Sequence, residues 1–241
     1  MNTTSASRAE APAMQAAQAR VLVWDLPVRV FHWLMVASFA GAWLTAESER
    51  WRQVHVTLGY TMAGLVAFRI LWGLVGSKPA RFSNFVRGPA RAARYVISIL
   101  RGEAEHHTGH NPAGALAIVA LLLMAAGVTA SGWAHFNEIG GHAMEEVHEA
   151  AANIMIALVG AHLVGVVVGS WVHRENLMRA MVTGLKSGRQ REGARRAWRG
   201  VGIALLAAVL GFWALQWQAG PDAALASTST GAQRGHDDDD D

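Results

Sequence analysis

The sequence predicts an all-α integral membrane helical bundle, a four-helix core followed by a fifth C-terminal transmembrane helix. Three observations predict it. Of the 241 residues, 52% are hydrophobic and only 16% charged, against roughly one quarter charged in soluble domains. The apolar residues clump into five stretches that approach or reach the ~20 residues a helix needs to cross a hydrocarbon core. All ten tryptophans fall near the ends of those stretches, as in the aromatic belts of membrane helices.

Taken in order, residues 1–20 are polar and rich in Ala, Ser and Thr, with no apolar core of signal-peptide length; a disordered cytoplasmic tail is expected. The first span, Val30 to Ala46, is short. It reaches spanning length if Trp24 to Arg29 forms its interfacial start. The second runs from Val54 to Gly76. Between it and the third, Pro89 to Leu100 reads as an amphipathic surface helix with proline in its first turn. Asn111 and Pro112 supply an N-cap and first residue for the third span, Ala113 to Trp133. The fourth is Glu149 to Val172, and the fifth, Trp198 to Trp217, follows a basic linker and precedes an acidic tail ending in Asp237 to Asp241. The expected division is a tail over 1–20, a four-helix membrane domain over 21–186, and linker, fifth helix and periplasmic tail over 187–241.

The loops predict orientation. Seventeen Lys and Arg lie in the N-terminal segment, the loop between spans two and three and the loop between spans four and five, against three on the other side. By the positive-inside rule the N-terminus is cytoplasmic and the C-terminus periplasmic, in a multi-pass protein of the bacterial inner membrane. With acids included the inner side carries seventeen basic and six acidic residues, net +11, and the outer three basic and twelve acidic, net −9. The pI of about 9.9 therefore reflects topology and anionic inner-leaflet lipid, with no nucleic acid implied.

There is no cysteine, which excludes disulfides, Cys-ligated clusters and covalent haem attachment through Cys-x-x-Cys-His. Any metal must take histidine or oxygen ligands. In the fourth span His148 and His162 are fourteen residues apart. That spacing places them roughly 21 Å apart on nearly the same face. A single intramembrane histidine reads equally well as a neutral group bonded to a neighbouring helix, but these two are matched by two more. His32 lies near the inner start of the first span and His55 at the outer start of the second. His32 then faces His162, and His55 faces His148. Two imidazoles from different helices ligate a haem iron from both faces, whereas zinc takes three or four protein ligands. The metal-binding set is thus His32, His55, His148 and His162, holding two non-covalent b haems.

Glycines 41, 59, 64, 127 and 165 let a macrocycle or a neighbouring helix approach closely. Arg69, fourteen residues after His55, and Arg29 are at the inner level and suit anionic haem propionates; snorkelling to headgroups is the alternative. His173, at the end of the fourth span, lines a polar pocket beside the inner haem and, with Arg174, suits a quinone. His106, His107, His110, His135, His142 and His236 fall in loops or the tail and read as solvated.

Four motifs carry a resemblance: Val23-Trp-Asp-Leu-Pro-Val-Arg-Val-Phe-His-Trp33, Leu71-Trp72-Gly-Leu-Val-Gly76, Gly109-His-Asn-Pro112 and His173-Arg-Glu-Asn-Leu-Met-Arg-Ala-Met-Val-Thr-Gly184. Over roughly residues 20 to 186 the chain resembles the bacterial cytochrome b561 family, which includes the b-type cytochrome subunits of nickel-iron hydrogenases. The resemblance implies two b haems ligated by His32 with His162 and His55 with His148, and electron exchange between quinones and a partner. The fifth helix lies beyond the match.

The function expected is transmembrane electron transfer in a respiratory chain, between the quinone pool and a periplasmic redox protein such as a c-type cytochrome. Alternatives are the membrane anchor of a hydrogenase-like complex and a superoxide:quinone oxidoreductase. The acidic outer face argues against the latter, because it repels an anion. A haem-free metal or proton transporter needs polar residues between the histidine levels, where residues 153 to 161 offer only Asn153.

Overall fold

The structure, a computed structural model, describes residues 19–86, 88–103, 109–188 and 190–218. His106, His107, His236, the acidic tail and residues 1–18 of the leader lie outside the described residues. In chain order the elements are strand β1 (Ala19–Leu22), α1 (Leu26–Thr45), α2 (Arg52–Val75), α3 (Phe82–Phe85), α4 (Pro89–Leu100), α5 (Pro112–Phe136), α6 (His142–Val172), α7 (Leu177–Thr183), β2 (Leu185–Gly188) and α8 (Arg199–Gln218). The five long helices α1, α2, α5, α6 and α8 are apolar enough to cross a membrane.

Local chemistry sets the boundaries. α1 starts at Leu26 because Asp25 caps it, the carboxylate accepting the Val28 N–H at 3.0 Å with Pro27 in the first turn. The Trp24–Arg29 segment thereby extends the first span as the sequence predicts. Asn111 caps α5 through the Gly114 N–H at 2.6 Å, again with proline in the first turn. α6 begins seven residues before the apolar stretch suggests, since Gly140 and Gly141, at φ +83° and +56°, form the break and the Glu-rich turn after them is helical.

The helices form a chain of neighbours, α8 against α1, α1 against α2, α2 against α5 and α5 against α6. One core cluster joins Met62 and Val66 of α2, Ala125 and Val128 of α5 and Met155 of α6, with Met35 and Phe39 of α1 packed on it. Leu34, Leu65 and Val209 bring α8 into the bundle, and the Trp213 indole donates to Thr61 Oγ1 at 2.8 Å. Outward-facing Leu, Val and Trp side chains cover the rest of the long helices, as lipid requires.

One end of the bundle carries a feature not expected from the sequence. β1 and β2 pair antiparallel, Ala19 opposite Gly188 and Leu22 opposite Leu185, so Ala19 and Arg20 join the folded body. Gly184, at φ +81°, ends α7 and turns its carbonyl to the Val23 and Trp24 N–H groups at 2.8 and 3.1 Å. This ribbon marks the strand end of the bundle; the loop between α5 and α6 marks the far end.

Candidate functional site: two histidine levels

At the far end, His55 in the first turns of α2 and His148 of α6 face each other with ring centroids 6.1 Å apart and planes at 86°. Each ring is held by a different helix. His55 Nδ1 lies 2.9 Å from the Ala42 carbonyl of α1, and His148 Nδ1 lies 2.9 Å from the Val128 carbonyl of α5. A carbonyl can only accept, so Nδ1 of each ring carries a proton, and in the neutral ring Nε2 keeps its lone pair. Two imidazoles so placed, each with Nδ1 bonded to a backbone carbonyl, could hold a metal through Nε2. Gly132 seats the second ring: a Cβ there would stand 2.7 Å from His148 Cε1. By contrast, a Cβ at Gly59, Gly64, Gly127 or Gly165 would meet nothing within 4 Å, and at Gly41 it would meet Leu58.

At the strand end, His32 of α1 and His162 of α6 lie within electrostatic range of each other. The His32 Nδ1 is buried and has no hydrogen-bond partner. Both rings are partly buried. The structure brings the His55 and His148 rings together at the far end, and sets His32 and His162 within electrostatic range of each other at the strand end. Among the described residues no three His, Asp or Glu side chains converge.

The cations differ from one another. Arg69 is 3% exposed, donates from Nη2 to the Ala80 carbonyl at 3.2 Å and lies 4.8 Å above the Phe82 ring. It does not snorkel. Its Nη1 is buried without a partner, as is Arg29 Nε. Arg174 is exposed with φ +51°, directly after His173, whose Nε2 is 2.9 Å from the Tyr95 hydroxyl of α4. Burial pushes the Tyr95 phenol up from its ordinary pKa, so it remains a hydroxyl.

One histidine departs from the sequence reading. His110 is no solvated loop residue: its ring lies between Trp24, at 4.3 Å, and Phe85, at 4.5 Å, and its Nδ1 is buried without a partner. Burial, then the nearby Arg69, Lys186 and His162, push its pKa down to about 3, which keeps the ring neutral. Its place in Gly109-His-Asn-Pro112, just before the α5 cap, is the signal that singled it out from the other loop histidines. His142 and His135 are exposed as expected, though both lie within helices rather than loops. Lys186 of β2, also buried, lies 3.4 Å from Glu175, and Asp25 accepts the Trp72 indole N–H at 3.1 Å. Position in the sequence signalled neither contact.

A family model described as prokaryotic cytochrome b561 matches residues 23–184. The match takes in every histidine of both levels and stops before α8. No curated protein and no solved structure matches the chain.

Proposed function

The chain belongs to the prokaryotic cytochrome b561 family, and from this premise we propose that it moves electrons across the bacterial inner membrane, between the quinone pool and a periplasmic redox protein. Membership implies a multi-pass, b-type haem-binding membrane protein of electron transfer. The observation that supports haem ligation is the far-end pair, whose rings are held through Nδ1 by two backbone carbonyls, leaving Nε2 of each for iron.

His55 with His148 would hold one haem and His32 with His162 the other, so that α6 contributes to both. Bis-histidine haem supplies one-electron exchange at iron without an open coordination position. The chain's own residues do the rest. α1 and α5 clamp the far-end rings through the Ala42 and Val128 carbonyls. Arg69 and Arg29 present unpaired N–H groups at the strand end, where they suit the carboxylates of the haem. His173, bonded to Tyr95, and the adjacent Arg174 offer donors and a route for protons to a quinone there. With the basic strand end cytoplasmic, outward electron flow is favoured by the membrane potential, about 2.3 kcal/mol per 100 mV for a full crossing.

A second reading, a hydrogenase-like membrane anchor, shares every one of these residues and differs only in the partner. The test of ligation is a reduced-minus-oxidised spectrum with a haem-to-protein ratio for four variants. His55→Ala and His148→Ala should each lose the same half of the haem, and His32→Ala and His162→Ala the other half. Loss of one common haem in the His55→Ala and His32→Ala proteins would overturn the pairing.

A further inference from the structure

At the strand end two buried nitrogens, Nη1 of Arg69 and Nδ1 of His110, have no partner, although their surroundings hold both side chains in place. Arg69 is anchored by the Ala80 carbonyl and the Phe82 ring. His110 is held between Trp24 and Phe85. The short helix α3 thus supplies an aromatic support to each, Phe82 to the arginine and Phe85 to the histidine. Arg69 and His162 lie within electrostatic range of His110, as does Lys186, which is itself paired with Glu175 at 3.4 Å. Buried donors without acceptors are costly, about 1–3 kcal/mol each, and are tolerated where a ligand completes them.

We propose that His110 is a haem-carboxylate ligand: its Nδ1–H, together with Nη1 of Arg69, binds a propionate of the haem held by His32 and His162. This rests on the two-haem reading above and adds to it a residue from outside the membrane spans. An acceptor with two oxygens suits the pair, one donor neutral and one charged, and charge-assisted hydrogen bonds of this kind are the strong ones. A neutral ring protonated at Nδ1 donates one hydrogen bond and adds no positive charge beside Arg69. Trp24 and Phe85 fix its direction. His110 would be a positioning and potential-tuning residue, with no part in ligating iron.

The test uses the full-length protein in detergent and in nanodiscs, with two variants. His110→Phe keeps an aromatic ring between Trp24 and Phe85 and removes the donor; His110→Asn places an amide N–H near the position of Nδ1. Two quantities are read: the midpoint potential of each haem by redox titration, and the propionate bending bands in the resonance Raman spectrum. Removing a donor from the carboxylate leaves more negative charge beside the iron and favours its ferric state. In His110→Phe the ferric-to-ferrous ratio of one haem at fixed potential should rise about tenfold, a downward shift of about 59 mV for a one-electron couple, with its propionate bands moved and the other haem unchanged. His110→Asn should recover most of both. Loss of the strand-level haem alone in His110→Phe, restored in His110→Asn, would also support the assignment.

Unchanged potentials and propionate bands in His110→Phe would overturn it, as would a shift in the haem lost by His55→Ala, or a defect that His110→Asn does not repair. If an anionic lipid headgroup took these donors instead, the propionate bands would stay still in both media, and the proposal would fail. Failure of the two-haem reading itself looks different: the unmodified protein would then lack one or both haems.

Discussion

The smallest side chain at the far end decides how large a ring can sit there. Gly132 faces His148, and the added methyl of alanine would come within 2.7 Å of the ring, well inside van der Waals contact. The ring cannot yield freely, because its Nδ1 is held by the Val128 carbonyl at 2.9 Å. Gly132→Ala should therefore displace the His148 Nε2 and lower haem retention toward half of the total, while the strand-level haem stays. Haem-to-protein ratio after detergent washing checks this, and full retention would show that the ring has another seat. A replacement of Gly211 by alanine, on α8 away from the four histidines, where a Cβ meets nothing within 4 Å, is the control expected to keep both haems.

At the scale of elements, the strand end is knitted by one carboxylate. Asp25 is fully buried, accepts the Val28 N–H of α1 and the Trp72 indole of α2, and so joins a helix start to a neighbouring helix end. Asp25→Ala leaves both donors unpaired and should cost about 1–3 kcal/mol. Asp25→Asn keeps an acceptor for one donor and should cost less. Thermal unfolding followed by circular dichroism in detergent measures both, and equal stability of Asp25→Ala with the parent would show that water replaces the carboxylate. The β1–β2 ribbon and Gly184 act on the same joint, since the Gly184 carbonyl takes two N–H groups of the segment leading into α1. Because His32 and Arg29 follow within two turns, slackening here should be felt at the strand-level haem first.

Across the whole molecule, the sequence expects basic and acidic residues to be sorted to opposite sides of the membrane. The far end exposes Glu145 and Glu146 beside His142, on the same helix as His148, while Arg50 and Arg52 lie against the rings of Trp51 and Phe136. Under the proposed function, an acidic rim beside the His55–His148 pair would suit a small basic partner, whose encounter would be fast, weak and screened by salt. Electron transfer from the quinol-reduced protein in proteoliposomes to a basic c-type cytochrome should slow steeply as salt is added. It should slow again when Glu138, Glu145, Glu146 and Glu149 are changed to glutamine. A rate indifferent to both would point to a permanently bound subunit of the hydrogenase type in place of a diffusing one.

What the sequence determined by itself were the properties that depend on local composition and on helical period. Apolar length set the five spans, Asn111-Pro112 set the start of α5, and the fourteen-residue interval put His148 and His162 on nearly one face of α6. The pairing of these levels with His55 and His32 followed from the order of the spans. Only the tertiary structure decided what depends on residues far apart in the chain. It joined Ala19–Leu22 to Leu185–Gly188, put the Val128 carbonyl under His148 with Gly132 beside the ring, and buried Arg69, for which snorkelling was the alternative. It also moved His110 from an ordinary loop position to a place between Trp24 and Phe85. A loop histidine has no period to mark which face it turns inward, and its environment exists only once α1, α3 and α5 have packed around it.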